Sequence, residues 1–506
     1  MSQAPTRGGR RRRRLRWGGE AGAAGVAAAL AMAGVILSGH EARAYDFLVS
    51  VRTVGQGYQE RRYTPGGESQ LLGRRRLTQY LNLSVFNIEP DAWRTTDVER
   101  NAVSFELGMR FDSDFGQFLL GRPRGVDQIG ELAQNQVDIL YAYLLARDLR
   151  GHADLQLGRQ LHYDLVDFYS FDGADATVRA GRFFSVQAFG GTEVRGEAPL
   201  SAPIYQADGT SVGSRDPATR PEQSRAWRPM VGAALALDRA SPIDVRAAYR
   251  RTWSATEDPR PGDPSSGVNH ETLALTADAH WRDRFFLAGG ARYNLLVAAW
   301  DDQQLALRWR LGARHLVSAE YSFLAPTFDG DSIWNVFASG STRDYRLGYD
   351  VELVPGLRAH ARGFARQFVD PSGTSADARA LADAAPGGRW AYGGNAGVDL
   401  RGGRGRARLE LYADGGYGGW KAGGDLSGRW ALFARPVELE GRLTAYTWRA
   451  DGTPIPQTAS MVGAQAGALY RMSRAIRTHF LAEDNSGTYY RVQLRALVVL
   501  EVDVTL

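Results

Sequence analysis

Cysteine is absent from the 506 residues. A disulfide scaffold, a thiol nucleophile and a lipid-bearing N-terminal cysteine are therefore excluded. Lysine is nearly absent: Lys421 is the only one, and all other side-chain basicity beyond the eight histidines comes from arginine. Past residue 44 no apolar run reaches the ~20 residues that a membrane-spanning helix needs. A bilayer admits only helices or closed barrels, because each backbone polar group must find a partner within the protein. If this chain crosses a membrane, it crosses as strands. Signatures of catalysis and metal binding are also scarce. His152, His162, His270, His280, His315, His360 and His479 are scattered without zinc spacing. Gly393-Gly394 and Gly402-Gly403 lack the strand-turn-helix setting of a nucleotide loop and read as bends and turns. Asp329-Gly330-Asp331-Ser332 with Asn335 lacks the full calcium-loop spacing and reads as a turn. The expectation is no catalytic residue, no metal and no cofactor.

The first forty-four residues are unlike the rest. Arg7, the run Arg10 to Arg14, and Arg16 precede the apolar stretch Ala21 to Leu37, and Ala42-Arg43-Ala44 follows. A basic segment, a short apolar segment and an Ala-x-Ala site predict a secretory signal peptide over 1–44, leaving 45–506 as the mature domain. This segment holds eight arginines and two glutamates, while the whole chain carries +5. The mature part is thus about −1, and its charge gives no support for a nucleic-acid partner.

What the mature sequence has in abundance is alternation. Val103, Phe105, Leu107, Met109 and Phe111 share one parity, and Ser104, Glu106, Gly108, Arg110 and Asp112 share the other. Successive strand side chains point to opposite faces, so this is a two-faced strand and not a helix. The pattern recurs at Val137-Ile139-Tyr141-Tyr143-Leu145, Leu273 to Trp281, Leu305 to Leu311, Tyr345 to Leu353, Ala407 to Ala413 and Val437 to Ala445. Tyr490 to Leu506 continues it for seventeen residues, beyond the ~9–11 that a strand needs to cross a bilayer. That stretch reads as the closing strand of a barrel. Short connections (Arg147–Gly151, Asp238–Pro242, Arg282–Arg284, Pro355–Gly356, Gly402–Gly405, Ala434–Pro436, Ser473–Ile476) alternate with long ones at 62–74, 195–226, 254–269, 325–342, 369–389 and 449–460. Tight periplasmic turns and longer outer loops are the asymmetry of outer-membrane barrels. With 172–194 split into two strands at Gly181-Arg182, the expectation is an all-β antiparallel transmembrane barrel of about 22 strands, within 18–22.

Two segments add a resemblance. Leu157-Gly158-Arg159-Gln160, then Phe171-Asp172-Gly173, resembles a pattern of large outer-membrane porins of the alginate-export type. Glu320-Tyr321 with Thr327-Phe328-Asp329, and Arg346-Leu347-Gly348-Tyr349-Asp350, is similar to a second region of that family. The resemblance implies a porin-like outer-membrane channel passing small polar or anionic solutes by diffusion. The expected surroundings are outer-membrane lipid, lipopolysaccharide and the barrel-assembly machinery, with a homo-oligomer left open. A barrel enzyme of phospholipase or protease type and a structural or adhesion barrel are the alternatives.

Candidate pore-lining residues come from the polar parity: Arg308, Arg310, Arg346, Arg358, His360, Arg362, Arg491 and Arg495. Arginine rings favour anions. Glu106, Asp350, Glu352, Glu410, Glu438 and Glu440 supply acids on the same parity, so a lumen of mixed charge is the competing expectation. Trp281, Trp300, Trp309 and Tyr490 near strand ends are candidates for an interfacial aromatic girdle.

Overall fold

The computed structural model describes residues 46–63, 69–86, 88, 103–120, 135–149, 151–163, 168–181, 183–194, 228–237, 242–253, 267–325, 341–370, 389–432, 436–451, 457–488 and 491–505. They build 22 strands, all antiparallel to their neighbours. The first seven are β1 (Asp46–Tyr63), β2 (Ser69–Phe86), β3 (Val103–Leu120), β4 (Asn135–Leu149), β5 (Ala153–Tyr163), β6 (Phe168–Ala180) and β7 (Phe184–Glu193). Then come β8 (Pro229–Leu237), β9 (Ile243–Trp253), β10 (Val268–Trp281), β11 (Phe285–Asn294), β12 (Ala299–Leu311), β13 (His315–Leu324), β14 (Ser341–Val354) and β15 (Leu357–Asp370). The series ends with β16 (Trp390–Gly402), β17 (Gly405–Gly416), β18 (Gly419–Ala431), β19 (Val437–Ala450), β20 (Gln457–Arg471), β21 (Ile476–Gly487) and β22 (Val492–Thr505).

Each strand pairs with the next in sequence, and β22 returns to β1 in a register running from Ser50↔Thr505 to Tyr63↔Val492. The sheet is therefore a closed 22-stranded barrel with no free edge, as the alternation and the terminal strand had led us to expect. Strands β6 and β7 turn at Gly181, where φ is +70°. On the β14–β15 hairpin Pro355 sets one backbone angle and Gly356 takes φ +85°, the chemistry of a two-residue turn.

The two parities have opposite surroundings. Leu347, Leu411 and Val462 are more than half exposed and lie on the outward parity with most of the other large exposed apolar residues. The inward parity carries most of the charges. The connection lengths depart from expectation at six places. Strands β1 and β2 run on to Tyr63↔Ser69, so the 62–74 segment is mostly strand. The Thr64-Pro65-Gly66-Gly67-Glu68 run at its centre has loop composition, and that hid the strand residues on either side. Segments 164–167, 295–298, 417–418 and 488–491 are short connections on the loop end, and 87–102 is a long one on the turn end.

One strand breaks the expected parity. In the β3–β4 ladder Gly108 pairs with Tyr141, but Met109 pairs with Ile139, so Leu140 is an extra residue. A bulge reverses the side-chain phase. Val137 and Ile139 face outward, whereas Tyr141, Tyr143 and Leu145 face inward. Gly108 makes this possible: a Cβ there would lie 2.4 Å from the Tyr141 ring.

Candidate functional site

The eight candidate residues all stand on the inward parity. Arg358, His360 and Arg362 follow one another on β15, but they do not form a bare positive ladder. Arg358 lies 4.0 Å from Glu352, His360 Nδ1 lies 3.6 Å from Asp399, and Arg362 lies 3.7 Å from Asp350. His360 is buried and lies against the wall over Gly397, where a Cβ would come 2.7 Å from its ring. Arg358 and Arg362 remain about half exposed.

Arg308, Arg346 and Arg362 meet in one recess of about 490 Å³, with Glu320, Asp350 and Asn395. Register explains the meeting, since Arg308, Ser318, Gly348, Arg362 and Asn395 stand directly opposite one another across β12 to β16. Arg346 donates to Asp344 at 3.0 Å, and Asp344 also takes two bonds from Arg366. Arg308 and Arg310 have no ion-pair partner among the described residues, and both are exposed. Arg491 and Arg495 stand apart from this recess, at the seam strand β22. Arg491 is exposed, and Arg495 lies 3.5 Å from Glu483.

A second arginine-rich recess, of about 500 Å³, was not singled out from the sequence. Arg401, Arg406, Arg408, Arg429 and Arg442 line it together with Asp399 and Glu440. Here too acids interleave with bases: Arg408 bonds Glu410 at 2.5 Å, Arg429 bonds Glu440 at 3.0 Å, and Arg442 bonds Asp425 at 2.7 Å. A cross-strand line runs Glu352, Arg358, Asp399, Arg408, Ser427, Arg442, Gln465, Glu483, Arg495 through six consecutive strand pairs from β15 to β21, with flanking pairs at each end. The signal was present as inward parity on β17 to β19. Only the register reveals which charges become neighbours.

From β3 to β10 the inward face is different. Gln160 and Phe171 are wholly buried, and Tyr169, Phe189 and Met230 nearly so. His162 sits among Tyr169, Phe171 and Phe189 at ring distances of 5.1–5.5 Å, with Asp175 3.4 Å from its Nε2. The Arg250 guanidinium covers the Tyr169 ring at 4.4 Å, within cation–π range. Phe189 lies over Gly232. Buried Arg110 is held by Asp112 and Asp138.

The Leu157–Gln160 and Phe171–Gly173 segments are neighbours in this sector, in the register Gly158↔Gly173, Arg159↔Asp172, Gln160↔Phe171. Gly158 takes φ +125°, and a Cβ on it would lie 2.2 Å from the Ala142 carbonyl oxygen. Inward, Gln160 donates toward the carbonyls of Gln156 and Gly173. Outward, Arg159 clamps Asp172 with two bonds of 2.8 and 2.9 Å and donates a third, at 3.2 Å, to the Ile139 carbonyl beside the bulge. The motif thus stitches three strands where one has lost its regular phase.

Trp281, Trp300 and Trp309 are exposed on the outward parity, Trp281 and Trp309 near the turn end and Trp300 at the loop end. Tyr490, the Asp329–Ser332 turn with Asn335, and Thr327-Phe328-Asp329 lie outside the described residues. So does Gly209-Thr210-Ser211-Val212-Gly213, a Gly-x-Ser-x-Gly spacing that the strand pattern passes over.

No family model matches the chain, and no curated protein matches it. Among solved structures, Pseudomonas aeruginosa OpdK with vanillate is similar at 9% identity and a TM-score of 0.40, over 91% of this chain and 99% of that one. Acinetobacter baumannii OccAB4 is similar at 7% identity and 0.42, over 91% and 98%. Pseudomonas aeruginosa OccK2 (OpdF) in complex with glucuronate is similar at 10% and 0.36, over 90% and 98%.

Proposed function

We propose that this chain is an outer-membrane, porin-like channel that passes small polar or anionic solutes by passive diffusion. The observation that carries the reading is the closed 22-stranded sheet with opposite chemistry on its two faces. Such closure leaves no unpaired backbone for the bilayer core. An even strand number and an apolar outward band are the features of single-chain bacterial barrels. The inward charges suit a water-filled passage. On this reading the short turns face the periplasm, the long loops face outside, and residues 1–44 are a cleaved signal peptide.

The finer placement among porins of the alginate-export type is supported by the Leu157–Gln160 and Phe171–Gly173 segments alone. Solute preference follows from the interleaved charges. Most inward arginines of β14 to β22 share their field with an acid within 4.0 Å, so the wall is an array of dipoles with local excess charge. Arg308 and Arg310 on β12, like Arg401 and Arg406 in the second recess, have no such acid among the described residues, and we assign anion preference to Arg308 and Arg310. No bond is made or broken. Lipopolysaccharide, outer-membrane lipid and the barrel-assembly machinery are the partners this location brings, and self-association is compatible with it.

Cell fractionation followed by planar-bilayer recording tests the reading. Recovery in the outer-membrane fraction, migration that changes on heating, and ion conductance are expected. Recovery as a soluble periplasmic protein, a folded barrel without conductance, or lipid hydrolysis by the purified protein would overturn it.

A further inference from the structure

We propose that the turn end of the barrel binds the headgroup phosphates of anionic phospholipids along the arc from β10 to β21. The proposal rests on the channel reading, which sets the turn end in the periplasmic leaflet. Five arginines occupy the described turns of this arc: Arg282 and Arg284 between β10 and β11, Arg314 between β12 and β13, Arg404 between β16 and β17, and Arg474 between β20 and β21. All five are exposed, and Arg282, Arg284, Arg314 and Arg474 have no ion-pair partner among the described residues. Asp283 is the only acid among the described residues of those turns. This contrasts with the inward wall, where arginines are regularly matched with acids. In the sequence, residues 150, 182, 239 and 435, in four further connections of the same end, are also arginine.

The opposite end has another balance. Segment 254–266 holds Glu257, Asp258 and Asp263 against Arg260, and segment 326–340 holds two aspartates and no base. The exception on the turn end is the long connection 87–102, in which four acids face two arginines. The basic face is therefore an arc and not a full ring.

Location identifies the partner. Trp281, Phe285 and Trp309 lie exposed on the outward parity at the same strand ends, and the Arg282 guanidinium is 6.0 Å from the Trp281 ring. Exposed aromatic rings mark the depth of the headgroups. Cations just beyond that depth meet phosphates, and arginine's planar fork suits phosphate oxygens. Screening over ~8–10 Å at ordinary salt limits each arginine to adjacent headgroups, so a diffusing solute in the lumen is not the target. An anionic leaflet attracts such juxtamembrane charges.

The full chain, reconstituted in vesicles of equal parts phosphatidylcholine and phosphatidylglycerol, can be released and the retained lipids counted by native mass spectrometry. Several-fold enrichment of phosphatidylglycerol is expected. Arg282→Gln, Arg284→Gln, Arg314→Gln and Arg474→Gln together should bring the retained ratio close to the bulk ratio, with conductance unchanged. The four corresponding lysine substitutions should keep the enrichment. A wild type that inserts and conducts but retains both lipids equally would overturn the proposal while leaving the channel reading intact. Failure to insert or conduct would sink both. Enrichment that survives the four glutamine changes would also overturn it.

Discussion

The inward face of the barrel from β3 to β10 is shielded, while that from β12 to β22 is largely open. In the first arc Arg110, Asp112, Asp138, Gln160, Asp175, Arg250, Thr252, His270 and Thr272 are all under a tenth exposed. In the second, Arg346, Arg358, Arg362, Arg429, Arg442 and Arg477 are about half exposed. The alternation in sequence is similar in both. What differs is the company: rings and alanines such as Ala234, Ala248 and Ala274 in one arc, interleaved charges in the other. Alternation reports which way a side chain points. It is silent on whether that side of the sheet meets water or protein.

The largest break in the comparison should come from the shielded arc. Phe171→Ala removes a wholly buried ring from the His162, Tyr169 and Phe189 cluster. It should cost about 3–5 kcal/mol, the usual penalty for truncating a buried aromatic, read as urea unfolding of the reconstituted barrel. Among the described residues the open arc has no buried inward ring of equal cost, so a loss below about 1 kcal/mol at Phe171 would erase the distinction.

Next comes the contrast between faces. Leu107→Arg puts a cation on the outward parity and should cost about 2–4 kcal/mol near the bilayer midplane. Glu106→Gln, one residue away, keeps a group that can still accept from Ser84 and should cost far less. Equal losses would mean that the outward parity does not meet lipid.

Arg159→Gln should be smaller still. It strands Asp172 on the outward face and removes a donor from the Ile139 carbonyl. A cost of about 1–3 kcal/mol is expected for those unsatisfied groups. Arg159→Gln with Asp172→Asn should recover part of it. An unchanged midpoint in the single variant would show that the bulge needs no stitch.

The smallest effect is on ion preference and not on stability. Arg308→Glu with Arg310→Glu should move the reversal potential in a salt gradient toward cations. Arg358→Glu with Arg362→Glu should move it less, because acids already sit at 4.0 and 3.7 Å. The opposite ranking would return the selectivity role to β15.

These contrasts mark how far the sequence could be read. The strand number, the split at Gly181, the closing role of the final strand and the inward parity of all eight candidates were legible, because a period of two is a local signal. The phase of Tyr141, Tyr143 and Leu145 was not, since one extra residue at Leu140 inverts everything after it and leaves composition unchanged. The neutralisation of Arg358, His360 and Arg362 was not legible either. His360 meets Asp399 only because β15 and β16 pair in one particular register across an intervening loop. The second recess escaped for the same reason: Arg406, Arg408, Arg429 and Arg442 look ordinary until their strands lie side by side.

The seam between β1 and β22 carries a consequence for the order of events. Strand β1 leaves the ribosome first, and its second neighbour leaves last. Until β22 arrives, the growing sheet has an edge at each end, with rows of backbone donors and acceptors open to any passing strand. Every other pairing is a hairpin or a near-sequence contact, formed cheaply. The last one spans nearly the whole chain, so the barrel cannot be completed piecemeal. A chain cut short by one strand keeps its other hairpins and lacks the seam altogether. Such a product is an open sheet with a sticky margin, suited to aggregation and not to a membrane.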